Sequence, residues 1–172
     1  MQILLIRHGE SEDDFLEKDY TGPTDLPLTN KGLLQVTRMS NRVGKEFPPD
    51  FIWSSTLKRA SKAAEILSDA VGCPVEYVDD LREMQETESQ LDFRERAERI
   101  FSSIREKREE FNRIAIISHG GMITKLIESF LQLPMENKVW FHSDYTGIHL
   151  LEYKKDWKII RLANNTSHLY ED

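Results

Sequence analysis

Residues 1–14 read MQILLIRHGESEDD. Ile3-Leu4-Leu5-Ile6 is a short, unbroken apolar run, the pattern of a strand buried on both faces. It passes directly into Arg7, His8 and Gly9, and then into acids. In an open sheet of parallel strands, polar chemistry collects in the crevice beyond the carboxyl ends of the strands. A strand that ends in a guanidinium and an imidazole therefore predicts a sheet of that kind, provided other strands end the same way.

Two others do. Phe51-Ile52-Trp53 leads through Ser54-Ser55 into a helix whose first turn holds Arg59. Ile114-Ala115-Ile116-Ile117 ends in Ser118-His119-Gly120-Gly121. Helical spacing fills the gaps between strands. Thr29 is positioned to cap a helix carrying Leu33, Val36, Met39 and Val43, which should stop before Pro48-Pro49. Ser54 or Ser55 is the expected cap of a second helix with Leu57, Ala60, Ala64, Leu67 and Val71, closed by Gly72. Val75–Val78 reads as a third strand. Residues 91–111 read as a long charged helix with Phe93, Ala97, Ile100, Ile104 and Phe111 on one side. Its pairs Asp92/Arg96 and Glu95/Arg99 are spaced i,i+4, which predicts a solvated face. After Gly121, Met122, Ile123, Leu126, Ile127 and Phe130 mark another helix. Segments 146–152 and 157–163 read as strands joined by a Lys-Lys-Asp turn and paired antiparallel. The expected fold is an α/β three-layer α/β/α sandwich around a mainly parallel sheet with an antiparallel C-terminal strand.

The 172 residues suit one domain spanning 1–172. Apolar residues make up 39% and charged ones 31%, the balance of a soluble cytoplasmic protein. No apolar run approaches the roughly 20 residues of a membrane span, and no secretory pattern opens the chain. No membrane partner is expected. The net charge of −7 argues against nucleic acid, which selects basic faces. Any anion site must then be a local feature opposing the global field. The single cysteine, Cys73, lies between Gly72 and Pro74 in an expected turn and has no partner for an internal disulfide.

If the three strands are parallel neighbours, Arg7, Arg59, His8 and His119 converge on one edge. Charged and unpaired, these groups would repel one another, and an anion at their centre removes the conflict. Guanidinium forks match tetrahedral phosphate oxygens, helix N-termini near 55–59 and 120–122 add backbone donors, and Gly120 and Gly121 admit close approach. A neutral imidazole in such a pocket is a competent nucleophile toward phosphorus. Two arginines and a second, protonated histidine would stabilise the transferring group, leaving an acid to be found for the departing oxygen. A His-Gly-Gly turn also occurs in the oxyanion holes of serine hydrolases, but no Gly-x-Ser-x-Gly elbow is present. Gly-x-x-x-x-Gly-Lys and His-Glu-x-x-His are absent too.

Arg7-His8-Gly9-Glu10-Ser11 resembles the RHG signature of the histidine phosphatase superfamily, in its phosphoglycerate mutase-like branch. The resemblance continues through Thr21-Gly22, Asp25, Pro27-Leu28-Thr29, Gly32, Ser54–Ala60, Leu81-Arg82-Glu83, Ser118–Gly121 and Asn164–Leu169. It implies that His8 becomes the phosphohistidine, that Arg7, Arg59 and His119 hold the phosphoryl group, and that Glu83 exchanges protons with the leaving group and water. Ser11, Thr21, Gly22 and Gly120 are implied phosphate contacts. Glu86 and Glu88 are the alternatives to Glu83. No metal and no organic cofactor are implied. His142, His149 and His168 lack ligand-like spacing and read as structural.

Two departures from the family pattern stand out. Asp14 occupies the place of a common asparagine that helps hold phosphate, and with Glu12 and Asp13 it should make the mouth acidic and disfavour polyanions. The segment after Glu83, Met84–Gln90, is short, which predicts an open site. The expected function is a phosphomonoesterase with a phosphorylated small-molecule substrate, a phosphoprotein being the second choice. The alternatives are mutase-type phosphoryl transfer, a protein phosphohistidine phosphatase, or a phosphate-sensing module without turnover.

Overall fold

The buried strand of the N-terminus becomes β1 (Gln2–Arg7), with Ile3, Leu4, Leu5 and Ile6 all fully buried. The computed structural model describes residues 1–17, 19–20, 24–107 and 110–170. β2 is Phe51–Ser54, β3 Val75–Tyr77 and β4 Arg113–Ser118; β5 is Ile148–Lys154 and β6 Trp157–Asn165. The six strands lie in the order β3-β2-β4-β1-β5-β6. The first four are parallel, and β5 is antiparallel to both β1 and β6. Registers Arg7↔Ser118 and Ser54↔Ile117 bring the carboxyl ends of β1, β4 and β2 level at one edge.

Alternation along the strands divides the core. Ile3, Leu5, Ile114 and Ile116 face α3 (Gln90–Glu106) and α4 (Gly120–Leu131). Leu4, Ile6, Ala115 and Ile117 face α1 (Asn30–Glu46) and α2 (Lys58–Val71). Strands buried on both faces need helices on both faces, and this is the expected three-layer sandwich. Each fully buried aliphatic side chain contributes about 1.5–3 kcal/mol. Thr29 caps α1 as expected, its Oγ1 accepting from Gly32 N at 3.0 Å, and Gly72 closes α2 at φ 74°.

Three local expectations are corrected. Neither Ser54 nor Ser55 caps α2: Ser54 ends β2, and the helix begins at Lys58, whose amide donates to Asp25 Oδ1 at 2.7 Å. The carboxylate arrives from a distant loop, while Ser55 Oγ accepts from Leu57 N at 3.3 Å, one residue ahead of the helix. α3 ends at Glu106, and Phe111 instead stacks on Phe51, ring centroids 5.2 Å apart. The charged run is not a purely solvated face. Arg94 and Arg96 are buried; Arg94 meets Glu128 at 2.7 Å, Arg96 meets Glu88, Arg99 meets Asp80, and Asp92 caps α3 through Ser89. An exposed i,i+4 pair stabilises by only about 0.2–0.5 kcal/mol, so buried guanidiniums go to the partners that desolvation demands.

The turn after β1 lies against the backbone of α1. A Cβ on Gly32 would overlap the Glu10 carbonyl, and one on Gly9 would press on the Gly32 carbonyl. Glu10 locks this approach by accepting from Thr29 Oγ1 at 2.8 Å and Lys31 Nζ at 2.7 Å. Gly32→Ala should therefore destabilise the protein by about 1–3 kcal/mol in urea unfolding. Gly44→Ala, where the nearest atom to a new Cβ is Val71 Cγ1 at 3.4 Å, should stabilise by about 0.4–1 kcal/mol. Equal effects at the two positions would contradict the close approach.

Candidate active site

The edge is assembled by main-chain bonds before any side chain is considered. His8 N donates to Ser118 O at 3.1 Å and Ser55 N to Ile117 O at 3.0 Å. Thr146 N donates to the carbonyls of both Arg7 and His8, so residues 143–147 brace the end of β1. The strands thereby bring half-buried Arg7 and buried His8, Arg59 and His119 into one cluster, with His8 and His119 only 4% and 1% exposed.

Two contacts define the state of His8. Its Nδ1 lies 2.6 Å from Gly9 O, and Arg59 Nε donates to its Nε2 at 3.2 Å. Both are satisfied only by the Nδ1–H tautomer, which leaves the lone pair on Nε2. Burial, and then the charges of Arg59 and Arg7, push the imidazole down to about 3, against opposing help from Gly9 O. The ring is neutral across the physiological range. Arg59 also donates to Asp13 Oδ2 and Thr24 O, both at 3.0 Å. Arg7 donates to Ser143 O at 2.9 Å and lies 4.4 Å over the Tyr145 ring.

His119 sits 5.1 Å from His8 between ring centroids, its Nε2 2.8 Å from Ser55 Oγ. Burial first, then His8, Arg59, Arg7 and Arg82, hold it well below its ordinary value. Protonation of His119 is thus disfavoured: it would add a third cation beside the guanidiniums of Arg7 and Arg59, of which Arg59 is paired with Asp13.

Glu83 is held at the start of α4. Its Oε2 accepts from Gly121 N at 2.9 Å and its Oε1 from Met84 N at 3.0 Å, and a Cβ at residue 121 would overlap the carboxylate. Glu88, by contrast, is clamped by Arg96 at 2.5 and 2.6 Å, and Glu86 is exposed. Arg96 also donates to the carbonyls of Asp80, Arg82 and Glu83. This one side chain pins the loop that carries Glu83, a role its sequence position concealed behind an apparent i,i+4 pair.

Of the other expected contacts, Gly120 lies beside Arg7, and Ser11 directs its hydroxyl proton to Asp14 Oδ2 at 3.0 Å. Thr21 and Gly22 lie outside the described residues. Burial alone would raise the Asp14 carboxyl, but hydrogen bonds from Ser11 N, Tyr145 and Ser11 Oγ hold it below its ordinary value. The acids near the mouth are thus partly engaged: Asp14 by Ser11 and Tyr145, and Asp13 by Arg59. Ser55, Tyr145, Ser143 and Arg96 are site neighbours that sequence reasoning missed, and of these Ser55 alone carried a signal, lying inside a segment that resembles the family.

His149 and His168 are buried braces, bonding Ser143 Oγ at 2.8 Å and Thr146 Oγ1 at 2.9 Å, while His142 is exposed beside Asp144. Among the described residues, two polar atoms of the cluster, Arg7 Nε and His119 Nδ1, are buried with no protein partner. Such orphans are rare and costly, and a tetrahedral anion is the ligand that both could serve. A cavity of about 560 Å³ bordered by Arg7, Glu83, Gly120 and Trp140, and a second of about 530 Å³ bordered by Arg59, Glu83 and Arg82, meet at Glu83.

The chain also resembles known proteins. The model of the histidine phosphatase superfamily (branch 1) matches residues 3–88 and 84–166. A probable phosphoglycerate mutase GpmB of Escherichia fergusonii is 26% identical over 98% of this chain and 95% of its own length. The Escherichia coli protein of that name is 38% identical over 49% of this chain, a stretch spanning 38% of the relative. Among solved structures, alpha-ribazole phosphatase from Shigella flexneri superposes with a TM-score of 0.83 at 23% identity, covering 96% of this chain and 97% of the other. Phosphoserine phosphatase from Entamoeba histolytica gives 0.81 at 22%, covering 98% of each chain. A mycobacterial glucosyl-3-phosphoglycerate phosphatase gives 0.81 at 20%, covering 95% and 98%. At these identities the solved structures speak for the fold.

The buried histidines make stability depend on pH. His8 is held at about 3 and His149 and His168 at about 4, each chiefly by burial, against roughly 6.5 in an unfolded chain. Between those values the unfolded state binds protons that the native state refuses. The contribution is complete above about pH 6.5 and is lost as pH falls, by up to about 1.4 kcal/mol per pH unit for each ring. Urea midpoints measured from pH 7.5 to 4.5 should fall steeply below 6.5, and His149→Gln should flatten the slope. An unchanged slope in that variant would contradict the assignment.

Proposed function

The chain belongs to the histidine phosphatase superfamily, and from that membership and the geometry of the cluster we propose a phosphomonoesterase that works through phosphohistidine on His8. The observation that carries the reading is the unprotonated Nε2 of His8, capped by Arg59 and surrounded by the orphaned groups of Arg7 and His119. A phosphate monoester entering the cluster takes the Arg59 Nε–H away from His8, and Nε2 attacks phosphorus opposite the ester oxygen. The P–O bond breaks as Glu83 gives the departing alcohol a proton. Water then attacks the phosphohistidine, Glu83 takes its proton, and phosphate leaves with His8 restored. Arg7, Arg59 and His119 stabilise charge on the equatorial oxygens. With phosphate bound, its negative charge opposes the cationic field that keeps His119 neutral.

Small phosphorylated substrates fit this reading, as the Entamoeba histolytica structures are of complexes with phosphoserine and with 3-phosphoglyceric acid. The full-length similarity to a probable phosphoglycerate mutase favours a second reading, phosphoryl transfer back to a rotated substrate. Against it stands the short Met84–Ser89 link between Glu83 and α3, which leaves little chain to exclude water from the intermediate. Rapid isomerisation of 3-phosphoglycerate in the presence of a bisphosphoglycerate primer would decide for the mutase.

His8→Ala should lower kcat/KM for 4-nitrophenyl phosphate by at least about a thousandfold, and rapid acid-free quenching of the parent protein should trap a labelled, acid-labile adduct that the variant lacks. Glu83→Gln should cost about 10²–10⁴-fold with alkyl phosphates and much less with 4-nitrophenyl phosphate, whose leaving group hardly needs a proton. Turnover that survives His8→Ala would overturn the proposal.

A further inference from the structure

A further cavity, of about 370 Å³, lies between α3, the end of α4 and the β5–β6 hairpin. Tyr153 N donates to Met1 O, so this hairpin end meets the edge where β1 begins, opposite the edge where β1 ends in Arg7-His8. The charges around the cavity do not balance. Arg94 borders it but is already matched: it bonds Glu98 at 3.1 Å and Glu128 at 2.7 Å, and Glu128 also bonds Lys125 at 3.2 Å. Those two cations and two carboxylates close on themselves, and Glu98, the acid bordering the cavity, is used in the set. Arg105 and Lys158 remain, and among the described residues neither forms an ion pair. Lys158 stands opposite Tyr153 across the hairpin. Burial, and then the charge of Arg105, hold its ammonium below the ordinary value. Two hydroxyls complete the lining. Ser129 Oγ is buried with no partner among the described residues. Ser102 Oγ accepts from Arg105 Nη2 at 3.3 Å, which leaves its own proton to give.

We propose that this cavity is a second anion site, in which Arg105 and Lys158 bind inorganic phosphate, or the phosphate group of a small ester, while Ser102 and Ser129 donate to it. The site is independent of the phosphatase reading, since none of its residues belongs to the cluster around His8. A tetrahedral dianion supplies what each group lacks: two negative charges for two cations, and acceptor oxygens for two hydroxyls. A cationic ligand would meet Arg105 and Lys158 with only Glu98, already bonded, to receive it. An apolar ligand would leave the Ser129 hydroxyl unsatisfied. Ser102 and Arg105 are exposed, which gives the ion a path from solvent. In a chain of net charge −7, an anion that settles here does so through the local field of these two side chains.

Titration with inorganic phosphate, and with methylphosphonate as an ester mimic that cannot be hydrolysed, reads this out through backbone amide shifts in proton–nitrogen correlation spectra. The amides of Ser102, Ser129 and Lys158 should shift and saturate, on a curve separate from any response of Gly120 and Gly121 at the cluster. In the double variant Arg105→Gln, Lys158→Gln the affinity read at Ser102 and Ser129 should fall at least about tenfold. A thermal unfolding midpoint no lower than the parent's shows that this variant is folded. Ser129→Ala, which leaves both charges in place, should weaken binding severalfold. Tighter saturation by inorganic phosphate assigns the site to the free ion, and by methylphosphonate to the phosphate group of an ester; either supports the proposal. It is overturned if the parent shows no saturable shift at Ser102 and Ser129, or if sodium acetate at matched ionic strength produces the same shifts. Shifts that persist at parent affinity in the double variant overturn it as well.

Discussion

The bond from Arg59 Nε to His8 Nε2 organises this molecule. It exists because the sheet delivers two guanidiniums and two imidazoles to one edge, in a chain whose overall charge is negative. Four potential cations in a buried space are tolerable only if the imidazoles stay neutral, and burial drives both rings that way. Neutrality is also what leaves a lone pair directed at the neighbouring guanidinium. The same electrostatic constraint that makes the cluster bearable leaves its histidine with an unprotonated ring nitrogen.

The supports follow from that constraint. A buried ring must have its position set by other groups, and here backbone sets it: Gly9 O fixes the tautomer, Ser118 O and Thr146 N fix the chain, and the contact of Gly9 with Gly32 fixes the turn. Glu83 is treated the same way, held by two amides while Arg96 binds the carbonyls around it. Main-chain donors and acceptors lose little freedom when they bind, so they position reacting groups more tightly than flexible side chains do. The cationic field is local.

Much of this was legible in the sequence because it depends on short-range pattern. Four consecutive aliphatics ending in Arg7-His8, and four more ending in Ser118-His119, carry the parallel sheet and its polar edge in their order alone. Buried strands and capped helices are written in spacings of two to four residues. The same spacing logic misled wherever a side chain found a distant partner. Arg96 looked like one half of a pair with Asp92 and is instead the clamp of the 80–88 loop. Ser55 looked like a helix cap and instead holds His119.

Sequence by itself determined the layers, the strand ends that meet, and which residue types stand there, since hydrophobic periodicity and the chirality of parallel crossovers leave few alternatives. Tertiary structure alone decided the charge of each group and the partner of each buried cation. Protonation depends on desolvation and on fields from residues dozens of positions away, and a buried guanidinium is assigned by which carbonyls and carboxylates the finished packing brings within 3 Å, roughly a hydrogen bond's length. Neither quantity exists until the chain has folded.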